Sequence, residues 1–245
     1  MYLVKQIICL SNSKKFGERC IAGIDIHTGR WIRPVYDNED GSVPRATRLI
    51  EGKEPKLLDL IEIPLAVSGK DSDFVCENIL IVPGQWKLRG KVYPADVVRY
   101  CRNTTDILHN HSKYVSPSYL KNLPFSQRIS LQLVQTVGMT VVKSGSGWRG
   151  SLQTSNGKLT DAPITDVVLL AKLDSGYQLN GPLLVTVSLG LPHIPEWFDA
   201  WEGEAPCWKL ITGVIEMART VSGPNANIPK MPWSVSEPDF DDIPF

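Results

Sequence analysis

Apolar residues fall in short runs along this chain, several alternating with polar ones, and Gly, Pro, Ser and Asp punctuate them. That period of two predicts strands rather than long helices. Leu3–Leu10, Arg19–Ile26 and Arg30–Tyr36 read as three strands, with a turn at His27-Thr28-Gly29 and a loop over Asp37–Ser42. Leu57–Ala66 and Phe74–Val82 add two more around the turn Ser68-Gly69-Lys70-Asp71. Pro94–Cys101 reads as a helix opened by proline, and Thr104–His111 as a further helical turn. Short strands at this spacing, with one helix, fit a small closed barrel.

Ser112–Gln127 holds two prolines and several serines without periodicity, so it reads as a connection between two units. A second β-rich block follows in Arg128–Val137, Met139–Lys143, Gly147–Gln153, Pro182–Leu189 and Cys207–Met217. Ile164–Leu173 is compatible with strand or helix. From Thr220 onward Pro, Ser and Asn dominate, which predicts a flexible tether. The expected organisation is a first domain over residues 1–111, a linker over 112–127, a second domain over 128–218 and a tail over 219–245. Each block has an early hairpin and a Trp followed closely by a base, at Trp31/Arg33 and Trp148/Arg149.

The runs GERCIAGIDIHTGRWIRPV and LLVTVSLGLP…CWKLITGVI resemble the signature segments of a bacterial family, the dual OB-containing domain proteins. The resemblance spans most of residues 1–217. It implies two OB-type barrels in tandem; with the strand pattern and the composition after Thr220, the expected fold is all-β with minor helix, two barrels followed by a disordered acidic tail. The resemblance transfers no catalytic or binding residue.

Charge sharpens the reading of the tail. The chain has 26 acids and 26 bases, but four of the acids and none of the bases follow Lys230, leaving 22 acids against 26 bases before it. The stretch Asp239-Phe240-Asp241-Asp242-Ile243-Pro244-Phe245 sets an apolar Ile-Pro-Phe behind an acidic run. Flanking charges resist burial in a core, so this stretch is built to dock on a partner. A hydrophobic pocket would take the Phe245 ring, and a basic rim the aspartates and the α-carboxylate. The stretch resembles the C-terminal tip of bacterial single-stranded DNA-binding protein. That resemblance implies recruitment of replication, recombination and repair enzymes.

A barrel that binds single strands needs bases beside exposed aromatic platforms. The candidates are Arg30, Trp31, Arg33, Trp86, Lys87, Arg89 and Lys91 in the first block, and Trp148 and Arg149 in the second. Trp31 and Arg33 share one face of their strand, either as a binding surface or as an internal cation–π contact. Cys101, His109 and His111 lack a fourth ligand at a usual spacing, so neither metal nor cofactor is expected. There is no phosphate loop, dinucleotide fingerprint or nucleophile elbow. The five cysteines are scattered, which suits a reducing compartment, and no apolar run is long enough to span a membrane. The expectation is a cytoplasmic, nucleoid-associated binding protein for single-stranded DNA. A decoy that competes for the tip's partner enzymes, and an enzyme localised by its tail, are the alternatives.

Overall fold

The computed structural model describes residues 2–69, 75–145, 147–195 and 201–217. The first barrel is built on β1 (Tyr2–Lys15), long enough to serve two neighbours. Its first half pairs antiparallel with β4 (Asp59–Gly69) and its second half with β2 (Glu18–Asp25). β2 pairs with β3 (Trp31–Val35), and β3 runs parallel to β5 (Asn78–Ile81), which returns to β4. The circuit β1-β2-β3-β5-β4 is therefore closed, and β6 (Lys87–Lys91) hangs on the outer side of β4. Closure removes most free edges. Ile7, Cys9, Ile21, Ile32, Ile61, Ile63 and Leu65 fill the interior. The short helix α1 (Arg45–Arg48) lies between β3 and β4, and α2 (Pro94–Val97) follows β6.

The second barrel repeats this circuit. β8 (Leu131–Thr136) turns at Val137-Gly138 into β9 (Met139–Ser144), and together they take the place of β1. β9 pairs with β10 (Gly147–Gln153), and β10 with β11 (Lys158–Pro163). Just past β11, Ile164 bridges in parallel to Ile211 of β13 (Cys207–Glu216), mirroring the parallel β3–β5 pair. β13 pairs with β12 (Leu183–Pro192), and β12 with β8. Leu152, Leu159, Val134, Val185, Val187 and Ile211 fill this interior.

The ambiguous segment 164–173 resolves into both predicted states. Ile164 takes the bridge, then Asp166 caps α4 (Val167–Asp174) by accepting from the N–H groups of Val168 and Leu169 at 3.0 and 3.1 Å. A side-chain carboxylate on those two orphan donors is what starts a helix at that residue.

Two expectations are corrected. Thr104–His111 is not helical: Leu108 and His109 have positive φ, and Ile107 and Leu108 bury in the second core. Residues 112–127 do not simply connect. Tyr114–Val115 form β7 against β13, and α3 (Pro117–Lys121) buries Leu120 in the same core.

The barrels meet face to face. A third apolar cluster joins Ile8, Leu10 and Ile24 of the first barrel to Leu133, Leu184 and Ile215 of the second, with Leu58 and Val97. Polar contacts lie beside it. Arg33 Nη2 donates to Ser188 Oγ at 2.9 Å, and the Glu77 carboxylate accepts from Ser130 N and Oγ at 2.6 and 2.9 Å. The outer surface of β1, β2 and β3 is thus spent on the inter-barrel contact.

Candidate nucleic-acid interface

In OB barrels the outer face of the second and third strands, with the loops beside it, carries the ligand. The first barrel's version is β2–β3, which the second barrel covers. The second barrel's version is β10–β11, and it is open. Along β10 Gly150 and Leu152 are buried while Arg149 and Ser151 are partly exposed. Gly150 faces inward because a Cβ there would sit 2.6 Å from Ile211 Cδ1.

Three side chains meet on this face. Arg149 Nε donates to Asp161 Oδ1, and Lys113 Nζ donates to Asp161 Oδ2 at 2.7 Å. Asp161 sits at φ 53°, a left-handed conformation uncommon outside glycine. Hydrogen bonds from Lys113 and Arg149 hold its carboxyl below the usual carboxylate range.

Lys113 leads directly into an aromatic cluster. β7 lies along the start of β13, so Tyr114 pairs with Trp208. Their ring centroids are 5.3 Å apart, and Trp201 packs at 5.2 Å from Tyr114 and 5.9 Å from Trp208. Edge-to-face packing at these separations stiffens the rings. Trp208 Nε1 donates to His193 O at 2.7 Å and Trp201 Nε1 to Glu204 O at 3.0 Å, which fixes both indoles. All three rings remain partly exposed. A continuous strip results: Arg149, Asp161, Lys113, Tyr114, Trp208, Trp201. Rigid rings next to cations are what base stacking and phosphate contact require.

The residues expected from sequence are dispersed. Trp86 is 3 % exposed and belongs to the first barrel's core, so it is not a stacking platform. Its hairpin neighbours Lys87, Arg89 and Lys91 are exposed on β6. Arg89 makes a two-pronged pair with Glu62 at 2.8 Å on both contacts, with Lys87 looser at 3.9 Å. Arg33 is 7 % exposed and Trp31 packs beside the inter-barrel cluster. Their shared face looks at the second barrel rather than at solvent. Arg30 is exposed at the turn before β3. Trp148 packs against the second core, donates from Nε1 to Asp174 at 2.9 Å and lies under Lys143 at 5.4 Å. Only Arg149 falls on the strip. The stretch 239–245 lies outside the described residues.

Tyr114, Trp201 and Trp208 were not singled out in the sequence. The available signal was the alternation Cys207-Trp208-Lys209. Cys207 and Lys209 are buried, so Trp208 must face out. Lys209 itself is not part of the strip. Its Nζ donates to Asn110 O at 2.6 Å and Oδ1 at 3.0 Å, and burial pushes the ammonium down to about 8. It fastens the 104–111 loop to the barrel. Among the described residues no helix is long and apolar enough to cross a membrane.

A solved structure, described as the crystal structure of the tetrameric p202 HIN2, is similar at 10 % identity and a TM-score of 0.29, over 88 % of this chain and 94 % of that one. No curated protein matches the chain. The family model of the dual OB-containing domain matches residues 5–214, which spans both β-rich halves. The chain belongs to the dual OB-containing domain family.

Proposed function

We propose that this chain is a binding module for single-stranded nucleic acid, with the strand held on the outer face of the second barrel. The observation that carries this reading is the ring cluster Tyr114–Trp201–Trp208, continuous with Lys113 and Arg149 on the barrel face left open. Bases stack on the rings, at roughly 1–3 kcal/mol each, and phosphates meet the two cations. Affinity then falls as salt rises, because phosphate contacts release counterions. The stretch 239–245 supplies the second half of the proposal. Its acids and its Phe240, Ile243 and Phe245 suit a docking peptide for DNA-processing enzymes in the nucleoid, as its resemblance to the single-stranded DNA-binding protein tip implies.

Fluorescence anisotropy with labelled oligothymidylate tests the first half. Tyr114→Ala with Trp208→Ala should weaken binding by roughly tenfold or more. Lys87→Glu with Arg89→Glu should leave it nearly unchanged. Equal affinity in the ring variant, or no binding at low salt, defeats the proposal. Calorimetry of a synthetic peptide of residues 237–245 against an enzyme that recognises the tip tests the second half. No heat of binding there removes the recruitment role and leaves the strand-binding role standing.

A further inference from the structure

A groove lies on the first barrel, away from the ring cluster. It has a volume of about 1040 Å³ and sits at the carboxyl ends of the parallel strands β3 and β5. Past β3 the chain leaves through Tyr36-Asp37, and past β5 it leaves through residues 82–86 into β6. The 46–52 segment closes the third side.

Four features of this groove point to one class of ligand. Trp86 lines it, and the indole Nε1–H is buried with no hydrogen-bond partner. Tyr36 lines the groove and is 39 % exposed, a surface for a planar ring. Lys87 and Arg89 stand on one rim with side chains 58 % and 44 % exposed.

Glu51 stands on the other rim in a rigid setting. Ile50 and Lys53 exchange both backbone hydrogen bonds at 2.9 Å, so Glu51 and Gly52 form a two-residue turn. Their φ values of 50° and 77° are those of the mirror-image turn that such hairpins prefer. Glutamate is a poor choice there on conformational grounds, since the left-handed region favours Gly, Asn or Asp. A strained residue at a cleft points to use of its side chain.

We propose that this groove is a ribonucleotide site. The base lies on Tyr36 beside the Trp86 indole, the phosphate meets Lys87 and the outer side of Arg89, and Glu51 accepts from the ribose hydroxyls. Carboxylates select ribose hydroxyls in other nucleotide sites for the same reason. An acidic peptide would fit the Lys87–Arg89 rim but meets repulsion from Glu51 and Asp37 on the other side. The volume holds a nucleotide and its neighbour, so the ligand is a free nucleotide or one unit of an RNA strand.

The test is nuclear magnetic resonance on the full chain, following the Trp86 indole N–H, assigned through Trp86→Phe. AMP should move that resonance saturably, with dAMP at least about tenfold weaker, the usual consequence of leaving a hydroxyl partner unpaired. Glu51→Gln should bring the two ligands close together. A hexaadenylate that binds at least about tenfold tighter than AMP assigns the site to an RNA strand, and equal affinity assigns it to the free nucleotide; both support the proposal. A resonance unmoved by AMP at about 10 mM overturns it. So does an equal shift with inorganic phosphate alone, or saturation by the 237–245 peptide in place of AMP. Tyr114→Ala with Trp208→Ala should leave the AMP shift intact, so failure here and failure on the second barrel are separable.

Discussion

Thr186 donates its hydroxyl to the backbone carbonyl of Leu10 at 2.6 Å, from the second barrel into the first. The contact exists because β1 carries an irregularity between Cys9 and Ser11, which frees the Leu10 carbonyl from its ladder. Gly213 lies against the same carbonyl: a Cβ there would sit 2.1 Å from Leu10 O. No side chain fits that space, and neither strand can retreat, because each belongs to a closed barrel.

Gly213→Ala should therefore destabilise the whole protein by about 3 kcal/mol or more, above the usual range for overpacking. Thr186→Val should cost about 1–2 kcal/mol, the loss of one partner to a buried carbonyl. Urea denaturation followed by tryptophan fluorescence checks both. A Gly213→Ala protein as stable as wild type would mean that the barrels separate readily.

Asp166 gives a prediction in which charge and hydrogen bonding oppose each other. It is 2 % exposed, and burial raises its carboxyl above the ordinary value of 3.8 even though three backbone N–H groups donate to it. The folded state therefore holds its proton to higher pH than the unfolded state. Above pH 3.8 unfolding releases that proton, so this group's contribution falls as pH rises through its folded value. Asp166→Asn keeps the cap on Val168 and Leu169 but turns an N–H group toward the Val214 N–H, costing about 1–3 kcal/mol. The gap between wild type and variant should narrow as pH rises from 4 to 7. Denaturation midpoints at the two ends of that range check it; a widening gap contradicts it.

Lys209 shows the opposite sign. Burial lowers its ammonium to about 8 from 10.5. Between those values the unfolded chain binds the extra proton, so stability should rise with pH over that window. Lys209→Met should abolish the rise. It should also cost about 1–3 kcal/mol at neutral pH, because Asn110 loses its buried donor. Midpoints at pH 7.5 and 9.5 for both proteins measure the difference.

Strand periodicity was readable wherever apolar residues alternate over several positions, as in Arg19–Ile26 and Pro182–Leu189. It failed for β11, whose Lys158–Pro163 carries little apolar signal and is held by pairing with β10. It failed again for the two-residue β7, which exists only because β13 is there to receive it. The duplication was visible as two Trp–base pairs, yet those pairs are not equivalent. Trp31 lies in the third strand of its barrel and Trp148 in the second of the other. Trp86 looked like a platform because bases flank it, and alternation alone does not say which side of a hairpin is inside. Arg33 was misread for a tertiary reason: the partner that buries it, Ser188, is 155 residues away. The ring cluster comes from positions 114, 201 and 208, which only the folded second barrel brings together.

On the proposed strand site, Asp161 would set how tightly a phosphate is held. Its carboxylate bridges Arg149 and Lys113, the two cations of the proposed site. An incoming phosphate must displace or share that carboxylate, at a cost in affinity. Asp161→Asn keeps the shape and removes the negative charge, so affinity for oligothymidylate should rise, by roughly three- to tenfold at low salt. The salt dependence should steepen, since both cations then exchange counterions for phosphate. If Asp161 serves only to position Arg149, the variant should bind more weakly with an unchanged slope. Anisotropy titrations at two salt concentrations distinguish the outcomes. Acidification offers a second route to the same state. Asp161 is held below the usual carboxylate range, so its proton arrives only at a pH under the ordinary value of 3.8. Between pH 5 and 8, wild-type affinity should carry no titration from this residue, while Asp161→Asn stays tighter throughout. A wild-type affinity that climbs toward the variant's within that range would require a carboxyl well above 3.8, which contradicts the lowering by Lys113 and Arg149.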